Sequence, residues 1–97
     1  MGWTMKIQSE SGQPRQPDIY IPFEAIPFDK EKYPILSSVA PYYDTVFNPD
    51  QCARFVTEWD LAASEPQFKE QAREWKTARD AAARCAGEHL YLKFVGD

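Results

Sequence analysis

A chain of 97 residues fits a single domain, residues 1–97, and leaves no room for two. Hydrophobic residues make up 43% of the chain and aromatic residues 14%, which predicts a folded protein with one modest core and excludes a disordered chain. The formal net charge of −4 argues against nucleic acid or an anionic membrane as a partner, because both attract clustered cations.

The N-terminal residues predict two strands. Apolar and polar side chains alternate over residues 3–7, which is the period of a strand with one buried face. Residues 9–18 are polar and rich in turn formers, so we expect an exposed, mobile loop. Residues 19–21 predict a second strand, antiparallel to the first because a hairpin-type loop joins them. Pro22 ends this strand or confines it to a sheet edge.

The segment 23–46 predicts ordered but irregular structure. Prolines recur in and beside it at intervals of five to seven residues, and each keeps the preceding residue out of the helical region. No long helix therefore fits, although the apolar content is high enough to pack on the rest of the domain. We expect a short helical turn near Ile35–Val39 and a short strand near Thr45–Phe47.

The beginning of a first helix is marked by a strong local signal. Asn48 is the expected N-cap, Pro49 occupies the first helical position, and Gln51 completes a capping box with Asn48. The helix is expected to end near Ala62 or Ala63.

The second helix is predicted as one continuous element from Glu65 to Ala86. Ser64 is the expected cap and Gln67 stands three residues later, which repeats the pattern of the first helix. Apolar residues then recur in steps of three and four, and Gly87 is the expected C-terminal stop.

Residues 89–95 predict a final strand with two different faces. Leu90, Leu92 and Phe94 face one way, and the other face carries His89, Tyr91, Lys93 and Val95. The predicted fold class is therefore α+β, with a small, mainly antiparallel sheet of three to four strands and two helices packed on one face.

The two cysteines, Cys52 and Cys85, are expected on the apolar faces of the two helices. Buried, reduced thiols are the favoured interpretation, and a disulfide between the helices is the alternative. Asp44, Asp50 and Asp97 are the carboxylates considered for a metal ion. Asp50 is already explained by helix capping and no calcium-loop motif occurs, so we expect no metal and no cofactor.

Catalytic chemistry has few candidate residues in this sequence. His89 is the only histidine and is expected to be a surface residue, and the four glycines form no phosphate-binding loop. We therefore expect no enzyme. The alternative is an enzyme that uses Asp44, Asp97 and His89, and it requires these three side chains to converge.

The run Pro41-Tyr42-Tyr43-Asp44 is the strongest candidate for partner binding. Two successive tyrosines in an extended stretch do not both point into a core, so at least one is expected to be partly exposed. Tyrosines are enriched in protein interfaces. The candidate partner-binding residues are Tyr42, Tyr43, Asp44 and Tyr91. The alternative is that the tyrosines only cover a sheet edge.

Two strings in the sequence resemble those of a family of short bacterial proteins. That family carries a segment similar to PYxDTVFN before a helix and an end similar to HLYLxFxGD, and the resemblance spans roughly residues 33–97. It implies no catalytic residue, because the family has no established activity. It does imply that the Asp44–Asn48 turn and the Gly96-Asp97 end lie together, with hydrogen bonds between them.

These observations favour a non-catalytic protein-binding module, for example an immunity or antitoxin-type inhibitor of a bacterial toxin. A small acidic protein captures a basic partner quickly through electrostatic steering. The alternative is an accessory or self-associating subunit of a larger assembly, including a homodimer. The first ten residues show no signal peptide and no apolar run reaches about 18 residues, so we expect a soluble, cytoplasmic protein without membrane or nucleic-acid partners.

Overall fold

The computed structural model describes residues 3–21, 28–39 and 43–96. These residues form four strands, two α-helices and two short 3-10 helices. In chain order they are β1 (Trp3–Gln8), β2 (Ile19–Ile21), the first 3-10 helix (Leu36–Ser38), β3 (Thr45–Phe47), α1 (Pro49–Ala62), the second 3-10 helix (Pro66–Gln71), α2 (Ala72–Glu88) and β4 (Tyr91–Gly96).

The strands form one antiparallel sheet in the order β2-β1-β4-β3. The two long strands are its centre, and their ladder runs from Trp3 opposite Gly96 to Gln8 opposite Tyr91. The short strands are its edges, as predicted for the second strand. The predicted α+β fold, a small antiparallel sheet with two helices, is therefore confirmed.

Aromatic rings fill the space between the helices and the sheet. Phe55 of α1 stacks between Trp75 of α2 and Phe94 of β4, with ring centroids 6.2 and 6.0 Å apart. Trp75 also packs against Trp3 of β1 and Trp59 of α1, at 6.5 and 5.8 Å. These contacts place both helices on the same face of the sheet, the face that carries the alternating apolar residues of β1.

The predicted beginning of α1 is confirmed in detail. The Asn48 side chain accepts a hydrogen bond from the backbone N–H of Gln51 at 2.8 Å, and the Gln51 side chain accepts one from the backbone N–H of Asn48 at 2.9 Å. Two N–H groups that lack an intrahelical partner are thereby satisfied. The helix ends at Ala62, also as predicted.

The prediction of a single second helix from Glu65 is wrong at its beginning. Residues 66–71 form a 3-10 helix, and the α-helix starts only at Ala72. Ser64 is not a cap, because its hydroxyl donates to the carbonyl of Leu61 at 2.7 Å. Phe68 instead anchors the 3-10 helix by packing on the ring of Phe28, with centroids 5.1 Å apart.

The predicted stop at Gly87 is also wrong. The helix continues to Glu88, and His89 takes the left-handed conformation with φ 54°. The N–H of Leu90 then donates to the carbonyl of Cys85 at 3.0 Å, the six-to-one hydrogen bond of a Schellman ending. Leu90 and Cys85 are both buried, which supplies the apolar contact of that motif. The final strand consequently begins at Tyr91, and His89 and Leu90 lie outside it.

The contrast between Asn48 and Ser64 gives a direct test of helix capping. Asn48→Ala removes the capping box and is expected to lower the free energy of unfolding by about 1 kcal/mol. Ser64→Ala removes only an exposed bond to the preceding turn and is expected to change it by less than about 0.5 kcal/mol. Urea unfolding followed by circular dichroism measures the free energy of unfolding of both variants. Equal losses in the two variants would show that the capping box of α1 contributes nothing specific.

The irregular middle of the chain contains both of its predicted elements. The helical turn is the 3-10 helix Leu36–Ser38, and the short strand is β3. The carboxylate of Glu58 in α1 accepts hydrogen bonds from the backbone N–H groups of Ile35 and Leu36, at 2.9 and 3.1 Å. A side chain of α1 therefore holds this turn against the domain.

The two cysteines are free and fully buried, as favoured by the sequence. Their thiols share a hydrogen bond, which together with burial raises the pKa of Cys52. Both side chains are fully buried among the other core residues, so the pair acts as part of the core.

Candidate functional site

One face of the sheet carries neither α-helix, and we call it the open face. Its residues are the outward-facing members of the four strands, which alternate with the buried ones and are paired across the sheet by its register. They are Thr4, Lys6, Gln8, Tyr20, Val46, Tyr91, Lys93 and Val95.

The open face remains accessible along its whole width. None of its eight residues is buried, whereas their inward neighbours on β1 and β4 are at most 2% exposed. Tyr20 is 55% exposed and Val46 is 47% exposed. Tyr43, which closely precedes β3, is 73% exposed. Among the residues that the structure describes, these are three of the four exposed large hydrophobic residues, and the fourth, Leu61, lies on α1.

The charges of the open face are arranged from its centre to its edges. Lys6 of β1 and Lys93 of β4 lie directly opposite each other on the central strands. Lys6 pairs with Asp18 at 2.7 Å, and Lys93 pairs with Asp44 at 3.5 Å. Asp18 precedes β2 and Asp44 precedes β3, so the two carboxylates lie toward opposite edges of the sheet. The face is therefore positive at its centre and negative at both edges.

The residues predicted to bind a partner lie on or near this face where they are described. Tyr43 is strongly exposed, which confirms that one of the tandem tyrosines faces solvent. Asp44 contacts Lys93, and Tyr91 is a half-buried member of the open face opposite Gln8. Tyr42 lies outside the described residues.

The catalytic alternative requires residues that the structure separates. Thr45, next to Asp44, pairs with Phe94 near one end of β4, whereas His89 lies before the other end. The three steps along the strand from Tyr91 to Phe94 alone span about 10 Å at about 3.3 Å per residue, beyond hydrogen-bond reach. Asp97 lies outside the described residues, and so does its predicted contact with the Asp44 turn. Within residues 3–21, 28–39 and 43–96, no group of three or more potential metal ligands occurs.

A cleft of about 450 Å³ between α1 and α2 is a weaker candidate site. Trp59 lines it, together with Arg79 and Lys76. The guanidinium of Arg79 donates to both carboxylate oxygens of Asp60, at 3.0 and 3.1 Å, and also contacts Asp80. Because Asp60 belongs to α1 and Arg79 to α2, these bonds join the two helices.

A second charged cluster joins the 28–39 segment to the second 3-10 helix. The ammonium of Lys32 donates to the carboxylate of Glu65 at 2.5 Å, and this bond lowers the pKa of Glu65. The neighbouring Tyr33 is almost fully buried, and burial raises the pKa of its hydroxyl. The ion pair joins the two segments and Tyr33 is buried in the core, so this cluster is also structural.

Comparisons with known proteins found no matching family model, no matching curated protein and no matching solved structure. In the described part of the chain, no helix combines the length and the apolar character needed to cross a membrane. The candidate site therefore rests on the geometry of the open face alone.

Of the eight residues of the open face, sequence reasoning named only Tyr91 as a candidate for binding. It missed the other seven, which are Thr4, Lys6, Gln8, Tyr20, Val46, Lys93 and Val95. Strand alternation alone identifies them as outward-facing residues. Their convergence on one surface depends on β1 lying beside β4, and no local signal in the sequence carries that information.

Proposed function

We propose that this protein is a non-catalytic protein-binding module that contacts its partner through the open face. The observation that carries the proposal is the exposure of a large apolar side chain at each edge of the open face. Tyr20 and Val46 lie on the open face, and Tyr43, two residues before β3, is also exposed. Exposed apolar patches bordered by polar groups are typical of interaction surfaces, and tyrosine is enriched in interface cores.

The finer proposal is an immunity or antitoxin-type inhibitor of a bacterial toxin. It is supported by the formal net charge of −4, which accelerates encounters with a basic partner. It is also supported by the resemblance of residues 33–97 to short bacterial proteins. The acids at the edges of the open face, Asp18 and Asp44, are exposed and available to the rim of such a complex.

Affinity capture from a bacterial lysate with matched variants tests the proposal. The protein is tagged and compared with the double variant Tyr20→Ser/Val46→Ser, which makes the open face polar. Leu61→Ser is the control, because Leu61 is similarly exposed, at 53%, but lies on α1 on the other side of the sheet. The wild type and the control are expected to retain one stoichiometric protein, and the double variant is expected to lose it.

The possible results separate the hypotheses about function. A partner that the double variant retains would refute the open face as the binding site. Recovery of the protein alone, with a molecular mass that rises with concentration, would replace the proposal with the self-associating subunit. A captured toxin whose activity falls when this protein is added would support the inhibitor in particular.

A further inference from the structure

The two cysteines of the chain lie at the ends of the two α-helices. Cys52 belongs to the first turn of α1, which begins at Pro49, and Cys85 belongs to the last turn of α2, which ends at Glu88. The two helices pack against each other on one face of the sheet. The relative direction of the helices therefore decides whether the two thiols meet.

The helices run antiparallel and bring the cysteines to the same level. The end of α1 lies beside the start of α2, because Ala63 and Ala72 line the same cleft. Cys52 is eleven residues before Ala63, and Cys85 is thirteen residues after Ala72. At about 1.5 Å per residue these distances along the helices are about 17 and 20 Å, so the two cysteines lie at nearly the same height.

The thiols of Cys52 and Cys85 also face each other inside the core. Both residues are 0% exposed and belong to one cluster of buried residues. Their shared hydrogen bond raises the pKa of Cys52 and lowers the pKa of Cys85. Two sulfur atoms in such contact are close to the separation at which a disulfide forms.

We propose that Cys52 and Cys85 form a reversible disulfide that locks the start of α1 to the end of α2 under oxidising conditions. The free thiols that the structure shows are then the reduced state of this pair. The inference goes beyond the proposed function and does not depend on it, because it concerns the helices and not the open face.

Glutathione disulfide is a sufficient oxidant for this reaction. The thiolate of Cys85 attacks one sulfur of that disulfide, so a mixed disulfide forms and one glutathione leaves as its thiolate. Cys52 then loses its proton, and its sulfur attacks the Cys85 sulfur of the mixed disulfide and releases the second glutathione. The two cysteines lose two protons and two electrons, and two molecules of reduced glutathione are formed. An excess of reduced glutathione reverses both steps.

The end of α2 gives the oxidant access to a buried thiol. Helix ends open at a lower free energy than the centre of a domain. Gly87, Glu88 and His89, which closely follow Cys85, are all exposed. The start of α1 is instead held by its capping box. Opening of the last turn of α2 therefore exposes Cys85 first, which makes Cys85 the attacking thiol.

Oxidation of the folded full chain by glutathione disulfide tests this inference. Free thiols are alkylated, the protein is digested, and mass spectrometry is expected to find a peptide in which Cys52 is joined to Cys85. Dithiothreitol is expected to remove that peptide. The oxidised protein is also expected to unfold at a higher urea concentration than the reduced protein, because the bond constrains the unfolded chain. Cys52→Ala is the control and is expected to stop at the mixed disulfide of Cys85 with glutathione.

Two results would overturn the inference, and both are measured on the wild type. The first is a folded protein that keeps its thiols free, or carries only glutathione, at an oxidant concentration that joins the two cysteines in urea. The second is an oxidised protein that unfolds at a lower urea concentration than the reduced one, because the bond would then distort the native helices.

Discussion

Trp75→Ala is expected to lower the free energy of unfolding by about 3–5 kcal/mol, the usual loss when a large buried aromatic side chain is truncated. Trp75 is 1% exposed and lies at the centre of the aromatic core. Its ring contacts Trp3 of β1, Phe55 and Trp59 of α1, and Phe28 of the irregular segment. The substitution therefore leaves a cavity where four parts of the fold meet.

Urea unfolding followed by far-ultraviolet circular dichroism measures this loss without depending on tryptophan emission. Small domains are stable by about 5–15 kcal/mol, so the variant is expected to lose a large share of its stability. Leu61→Ala is the control, because it removes an exposed apolar side chain from the neighbouring helix and is expected to cost less than about 0.5 kcal/mol. A loss below about 1 kcal/mol for Trp75→Ala would contradict a close-packed aromatic core.

Glu58→Ala is expected to have the second largest effect, a loss of about 1.5–3 kcal/mol. Its carboxylate is the hydrogen-bond acceptor for the N–H groups of Ile35 and Leu36, and a bond to a charged group contributes more than a neutral one. Both residues are buried. Removal of the acceptor leaves their N–H groups without a partner and detaches the 3-10 turn from α1.

Two further substitutions show whether this effect comes from the hydrogen bonds. Glu58→Gln keeps one acceptor oxygen without the charge, and it is expected to lower the free energy of unfolding less than Glu58→Ala does. Glu70→Ala removes an exposed carboxylate from the second 3-10 helix and is expected to be near neutral. Hydrogen exchange gives a second measure, since the amide of Leu36 is expected to exchange faster in Glu58→Ala. Unchanged exchange at that amide would refute the anchoring role of Glu58.

The parts of the fold that the sequence predicted are those with short-range causes. The capping box at Asn48 and Gln51 is complete within four residues, so the beginning of α1 was predicted from it. The alternation in β1 and the short strand β3 likewise depend on neighbouring residues alone. For these elements the tertiary contacts stabilise a conformation that the local sequence already favours.

The second helix shows how tertiary contacts override the same signals. The string after Ser64 has a capping pattern, yet the burial of Phe68 beside Phe28 favours a 3-10 helix there. At the other end, the burial of Leu90 draws the helix past Gly87 and places His89 in the left-handed region. Phe28 is far from Phe68 in sequence, and the burial of Leu90 depends on the assembled core. Neither boundary of the second helix was therefore predictable from the local pattern.

The candidate site was only partly predictable for a related reason. The sequence predicted that at least one of the tandem tyrosines is exposed and that Tyr91 faces outward, but it did not bring Lys6 close to Lys93. Those two lysines are far apart in sequence, and only the strand order makes them neighbours. Strand order depends on how the whole sheet packs, and no local sequence pattern predicts it.

The adjacency of β1 and β4 also sets the order in which the domain is able to fold. The central ladder joins residues 3–8 to residues 91–96, so it forms only after residues 91–96 have left the ribosome. Until then β1 has only the short strand β2 beside it, and its apolar side chains lack their final cover. Sheets built from strands that are distant in sequence form slowly, and strands that remain exposed are prone to aggregate before the sheet is complete. The apolar face of β1 is therefore expected to stay exposed during synthesis until β4 is available to pair with it.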